Sequence, residues 1–231
     1  MKLLAFETAT EACSVAVWCD GEVRERFGVV PRRHAELALP WAEELLAEAG
    51  ITRAQLDGIA VGRGPGAFTG VRLAVALAQG IALALDRPVV PVSTLAALAM
   101  RAPAGRVLAA IDARMGEVYA APFMRGDGGV EALAAERVLP PGAVELPEGG
   151  EEWHGVGTGF AAAGGALPRA LGGRLAGFDD QALPHAADVA RLGVQAWALG
   201  GAVAPERVEP AYLRDNVALT LEQQAALRGE R

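Results

Sequence analysis

An α/β fold of two successive lobes is predicted by three features of the 231-residue sequence. Each half opens on a strand hairpin, one starting at Lys2 and the other at Arg106. In the first half, strands then alternate with helical patterns. Between them lies Gly58 to Leu85, where a short apolar strand runs through a glycine-rich turn into a long apolar helix. Pro103 and Gly105 punctuate the chain, giving lobes over 1–102 and 103–231, with the last helical stretch free to pack back on the first lobe.

Lys2 to Thr8 reads as a buried strand, Cys13 to Cys19 as a second and Glu22 to Val29 as a third, with Asp20-Gly21 as the turn between the last two. The polar loop from Thr8 to Ala12 reads as an ordinary hairpin connection, though its groups also suit a ligand. An acidic amphipathic helix follows from about Ala35 to Ala49, interrupted near Pro40 and stopped by Gly50. Thr52 and Gln55 have the spacing of a capping box. A strand over Val89 to Val92 and a helix from Thr94 to Met100, capped by Ser93, complete a βββαβαβα module of about 100 residues, an ordinary domain size.

In the second half, Arg106 to Asp112 and Glu117 to Phe123 form a hairpin. Gly126 to Glu152 has weak periodicity and reads as loops with a strand near Val138. A strand from Trp153 ends in the glycine run Gly155 to Gly159, and a helix from Ala186 to Leu199 follows. The tail carries Pro210-Ala211-Tyr212-Leu213-Arg214 and a last polar helical stretch.

The glycine turn, Gly62, Gly64, Pro65, Gly66, Phe68, Thr69 and Gly70, implies that something approaches its backbone closely. In the helix beyond it, Arg72 and Gln79 are the strongly polar side chains, so it must be covered on more than one side. Small residues run in two rows at i, i+4: Gly70, Ala74, Ala78 and Ala82, and Ala76, Gly80 and Ala84. One cover is expected from the same lobe, and the other from the core or a partner subunit; periodicity does not choose between them. The partner reading uses Arg72, Val75, Ala76, Ala78, Gln79, Ala82 and Leu83, with Trp41 and Leu45 of the preceding helix. A membrane span needs about 20 apolar residues, and this run is shorter and holds Arg72.

Composition excludes several functions. With 52% apolar residues and a net charge of −7, the chain builds a large core but no electrostatic footprint for nucleic acid. Lys2 is the sole lysine, which removes Walker-type phosphate binding and Schiff-base chemistry. Cys13 and Cys19 fall on one strand about 20 Å apart at the usual rise per residue, too far to pair, and two free thiols fit a reducing cytoplasm. Glu7 interrupts the N-terminal apolar run before it resembles a signal peptide.

Gly62, Gly64 and Ala67 match the G-x-G-x-x-G/A spacing, but a third glycine and a proline crowd the loop, and Asp86 precedes the next strand where a ribose ligand belongs at its end. His34, His154 and His185 are scattered, so no zinc spacing is present. Glu7, Asp112 and Glu117 would meet if the two hairpins faced each other, which suits a metal-phosphate site; equally, Glu7 would brace the glycine turn from the adjacent strand. Ser14 and Ser93 are the only serines, and neither sits in a nucleophile elbow.

Two halves that each open on a hairpin suggest the duplicated actin-like, ribonuclease H-like (ASKHA-type) fold. Within it, FETATEACSVAV, GRGPGAFTGVRLAVALAQGIA, IDARMGEVYAA and PAYLR resemble the TsaB family of the bacterial tRNA threonylcarbamoyladenosine machinery, from Met1 to about Arg214. The resemblance implies a scaffold without catalysis of its own, a pseudoenzyme that pairs with a TsaD-like transferase, is joined by a TsaE-like ATPase, and forms a homodimer when unpartnered. It implies tRNA contact only through the complex and no cofactor on this chain alone, with ATP or ADP at the shared interface as the open case. The loops holding Glu7, Thr8, Thr10, Asp112 and Arg114 are the ones such a nucleotide would approach. An older glycoprotease label keeps peptidase activity as the alternative, and a stand-alone actin-like ATPase is a third. The catalytic relative holds metal through H-x-x-x-H on its first helix, whereas here His34 is followed at that spacing by Ala38. Glu7-Thr8-Ala9 and Asp112-Ala113-Arg114 likewise depart from the D-x-G phosphate loops, which argues against independent hydrolysis.

Overall fold

A computed structural model describes residues 1–149 and 152–214. The first hairpin becomes β1 (Lys2–Glu7), β2 (Ala12–Cys19) and β3 (Glu22–Val29), followed by α1 (His34–Glu48), β4 (Gly58–Gly62), α2 (Phe68–Leu85), β5 (Val89–Val92) and α3 (Thr94–Ala99). The strands form one sheet in the order β3-β2-β1-β4-β5. β1 pairs antiparallel with β2, Leu4 opposite Val17, and parallel with β4, Leu4 opposite Ile59. Leu4, Phe6, Val15 and Val17 face α1 and α2 in one core, while Leu3, Ala5 and Ala16 face the other way. Burial on both faces is why β1 reads as a continuous apolar run rather than an alternating one.

The second half supplies β6 (Gly105–Arg114), β7 (Glu117–Arg125), β8 (Val130–Ala132), β9 (Arg137–Leu139), β10 (Trp153–Val156), α4 (Ala162–Leu171), β11 (Leu175–Asp179) and α5 (Ala186–Ala198). Its sheet has the order β11-β10-β6-β7-β8, with β9 also on β7. Counted outward from the hairpin this repeats the first sheet, since β10 runs parallel to β6 and β11 parallel to β10, as β4 and β5 do beside β1. α4 sits between β10 and β11 as α2 sits between β4 and β5.

Each sheet's last helix packs across the middle of the molecule. Leu95, Leu98 and Ala99 of α3 join Val107, Ala109, Ile111 and Phe123 of the second sheet. Ala186, Val189, Ala190 and Leu192 of α5 join Leu3, Ala5, Ala60 and Val90 of the first. The first turn of α5 has no cap of its own; Ser14 Oγ accepts from the Ala186 N–H at 2.8 Å and the Glu25 carboxylate accepts from the Ala187 N–H at 2.9 Å. Two strands of the first sheet thus cap a helix that follows the second sheet in the chain.

Several elements depart from the sequence reading. β8, α4 and β11 were hidden in a Gly- and Ala-rich sequence without period; α4 itself carries Ala163, Gly164 and Gly165 at φ 49°, 65° and 77°, so its regular part is short. The strand from Trp153 ends at Val156, before a single helical turn over Thr158–Phe160. α1 runs through Pro40 without a break, because Pro40 lies on the exposed side, where water can satisfy the Glu36 carbonyl that loses its helical partner. The expected tail helix lies outside the described residues.

Candidate partner face and interlobe cleft

What approaches the glycine turn is the chain's own β1–β2 loop. A Cβ on Gly62 would overlap the Glu7 carboxylate, and one on Gly70 would overlap the Thr8 carbonyl. The Thr8 hydroxyl donates to the Gly70 carbonyl at 2.7 Å, and the Ala67 N–H donates to the Ala9 carbonyl at 2.7 Å. Glu7 is enclosed, one oxygen accepting from the Ala9 N–H and the other from the Thr94 hydroxyl, each at 2.8 Å. Thr94 in turn accepts from the Gly64 N–H at 3.1 Å. Burial pushes the Glu7 carboxyl up to about 7, against the pull of these hydrogen bonds.

A cleft of about 1090 Å³ opens between the lobes, walled by Thr10 and Gly66–Gly70 on one side, Asp112, Arg114 and Thr158 on the other, and Pro210–Arg214 at the edge. Of the residues expected near a nucleotide, Thr10, Asp112 and Arg114 therefore share one cavity, while Glu7 and Thr8 lie behind it in the glycine lock. Asp112 is held by Arg114, whose backbone N–H donates at 2.8 Å and whose guanidinium donates at 2.9 Å. Glu117 pairs instead with Arg214 at 2.5 Å. The carboxylates of Glu7, Asp112 and Glu117 do not converge, and no group of His, Cys, Asp or Glu able to hold a metal ion occurs among the described residues. His34 Nε2 lies 3.0 Å from the Thr10 carbonyl and 3.1 Å from that of Ala12, so this nitrogen is committed to the backbone.

The two small-residue rows of α2 go to opposite sides. Ala74, Ala78 and Ala82, with Val71 and Val75, are buried against the sheet. Ala76, Gly80 and Ala84 face outward, flanked by Leu83 at 61% and Phe68 at 63% exposure, with Leu39 of α1 exposed as well. This corrects the expected partner surface: Val75, Ala78, Ala82 and Leu45 belong to the chain's own core, and Trp41 packs on that core against Gly28. Gln79 donates to the Pro205 carbonyl at 3.0 Å and the Val208 carbonyl at 3.1 Å. The Arg72 guanidinium lies 3.2 Å from the centre of the Phe68 ring and 5.0 Å from that of Tyr212. Leu39, missed by the sequence reading, sits six residues before Leu45 on the other side of α1, a position that only the docking of the helix reveals. α2 is long and apolar enough to cross a membrane by composition, yet one side of it is core.

Two lobes of the same strand order around a central cleft define an actin-like duplicated fold. The family model described as TsaD, tRNA N6-adenosine threonylcarbamoyltransferase, matches residues 21–221. The tRNA threonylcarbamoyladenosine biosynthesis protein TsaB of Escherichia coli K12 is 43% identical over 228 residues, covering 94% of this chain and 96% of its own length. The protein of the same name from Haemophilus influenzae is 37% identical, covering 94% and 95%. The solved structure of YeaZ from Pseudomonas aeruginosa superposes with a TM-score of 0.86 at 45% identity, covering 92% of this chain and 99% of that one. The chain therefore belongs to the TsaD family, in its TsaB branch.

Proposed function

We propose that this chain is a non-catalytic subunit of tRNA threonylcarbamoyladenosine biosynthesis that binds and activates a TsaD-like transferase through the outward face of α2, with α1 beside it. The observation that carries the reading is Gly80. It lies inside an exposed helix, where glycine costs roughly 0.5–1 kcal/mol against alanine, and a Cβ built on it meets nothing within 4 Å. None of the described residues uses the missing volume; a helix of a second protein packed closely on Ala76, Gly80 and Ala84 would. Leu83 and Phe68 of α2 and Leu39 of α1 are large apolar side chains left exposed, as at surfaces that meet protein partners.

The relatives' names supply the pathway. On this reading the same face pairs two copies when the transferase is absent, a TsaE-like ATPase joins the complex, and ATP or ADP binds at the complex interface rather than on this chain alone. Glu7 enclosed, Asp112 tied to Arg114 and His34 tied to carbonyls favour the scaffold over a peptidase or a stand-alone ATPase. Cys13, whose thiol burial pushes up to about 11, suits a reducing cytoplasm as an inert core residue.

Reconstitution of TsaD- and TsaE-family subunits with and without this chain tests the proposal, with threonylcarbamoyladenosine in tRNA as the readout. Product is expected only when the chain is present. Full modification without it overturns the activator role, and ATP or peptide hydrolysis by the purified chain that disappears in Asp112→Asn overturns the non-catalytic one.

A further inference from the structure

Val203 to Arg214 touch the first lobe, α2 and the second lobe in turn. Val203 pairs with Val89 of β5 through hydrogen bonds of 2.8 and 2.9 Å. The Pro205 and Val208 carbonyls accept from Gln79, and Val208 inserts into the first-lobe core at 3% exposure. The Ala211 N–H donates to the Arg63 carbonyl, just past β4, at 2.8 Å. Tyr212 meets the Arg72 guanidinium that also lies over Phe68. Arg214 then reaches the second lobe, donating to the Ala113 carbonyl at 3.2 Å and to Glu117 at 2.5 Å. Both acceptors sit beside the tip of the β6–β7 hairpin, where Arg114, Met115 and Gly116 have φ of 63°, 57° and 78°.

We propose that this segment is a strap coupling the relative position of the two lobes to the outward face of α2, so that a lobe movement changes partner binding there. The proposal rests on the partner face argued above. Pro210–Arg214 form the edge of the cleft itself. From Ala211, fixed to the first lobe, an extended chain reaches Arg214 within at most about 10 Å, and the Arg214 side chain bridges the rest of the way to Ala113 and Glu117, so three residues and one side chain transmit a lobe movement. The pull reaches Tyr212. Arg72 Nη1 is enclosed with no hydrogen-bond partner among the described residues, and the guanidinium packs on the ring faces of Tyr212 and Phe68. Phe68 opens α2 and lies on its exposed side, and Gln79 sits between Ala76 and Leu83 on the same helix. One segment thus lines the cleft and contacts α2 at Arg72 and Gln79, beside the partner face, the physical continuity that coupling between two sites requires.

Amide exchange and partner affinity in the full chain test it. Arg214→Ala and, from the other side of the contact, Glu117→Gln should each raise exchange at Ala211 and through the first two turns of α2 at least tenfold. Both should lower affinity for the TsaD-family subunit at least fivefold, and Arg214→Lys should recover part of each effect. Faster exchange confined to 211–214, or unchanged affinity in both variants, overturns the coupling. Ala76→Arg separates the two claims: if it loses the partner while Arg214→Ala keeps wild-type affinity, the strap proposal falls and the face stands. If Ala76→Arg itself binds normally, the face reading falls and the coupling to it falls too.

Discussion

Glu7 and Glu25 are both largely enclosed carboxylates, and their surroundings push them in opposite directions. Burial raises Glu7 from 4.5 to about 7. Between those values the folded protein binds more protons than the unfolded chain, so stability falls as pH rises through the window and levels off above it, by about 3 kcal/mol in all. Glu7→Gln, which keeps an acceptor for the Ala9 N–H, should flatten that slope; denaturant unfolding of both proteins from pH 4.5 to 7.5 measures it, and parallel curves would mean that Glu7 does not titrate there. At Glu25, burial pushes upward, but hydrogen bonds from His185, the Ala187 N–H and Ser14 outweigh it and hold the carboxyl below its ordinary value. Its stabilisation is complete above the ordinary carboxylate value and is lost as pH falls through the lowered one. Glu25→Gln should lower stability at neutral pH by about 1–3 kcal/mol and narrow the gap to wild type in acid. The bracing role of Glu7 was readable as one of two options from its place beside the glycine turn. The role of Glu25 was not, because two of its partners, His185 and the Ala187 N–H, lie at the start of α5, far away in sequence.

The two rows of small residues make α2 a test at the scale of one element. Ala78 is fully buried, so Ala78→Arg places an unpaired charge in the core and should prevent folding. Ala76 is exposed, so Ala76→Arg should melt like wild type while losing both the TsaD-family partner and self-association by light scattering. Gly80→Ala sharpens the contrast. It should stabilise the isolated chain by roughly 0.5–1 kcal/mol, as a glycine removed from a helix does, yet weaken partner binding by filling the space a second helix needs. Stabilisation with undiminished binding would show that no helix packs closely there. The i, i+4 spacing exposed both rows in the sequence, but a helix with apolar groups on nearly every side has no polar stripe to announce its outward face.

At the scale of the whole molecule, the placement of charge bears on RNA binding. Arg24 is paired with Glu22, Arg26 with Glu44 and Glu48, and Arg33 with Glu36, so of the four arginines Arg24, Arg26, Arg32 and Arg33 three are neutralised where a phosphate backbone would need them free. The isolated chain is expected to bind tRNA weakly and with strong salt dependence. Filter binding at physiological salt checks this, and sub-micromolar affinity without a partner would contradict it.

The strands, turns and helices of the first half were determined by sequence alone, because each carries its own local signal: the Asp20-Gly21 turn, the Thr52–Gln55 capping box, the Ser93 cap and the strand-turn-helix around Gly62. Motifs spread over most of the chain also carried the family. Only the tertiary structure decided that α3 and α5 cross between the sheets, that α5 is capped by Ser14 and Glu25, that the glycine turn serves the chain's own β1–β2 loop, and that Ala76 rather than Ala78 faces outward. Each of these depends on contacts between residues far apart in the chain, and periodicity records that a face is buried without recording which atoms bury it.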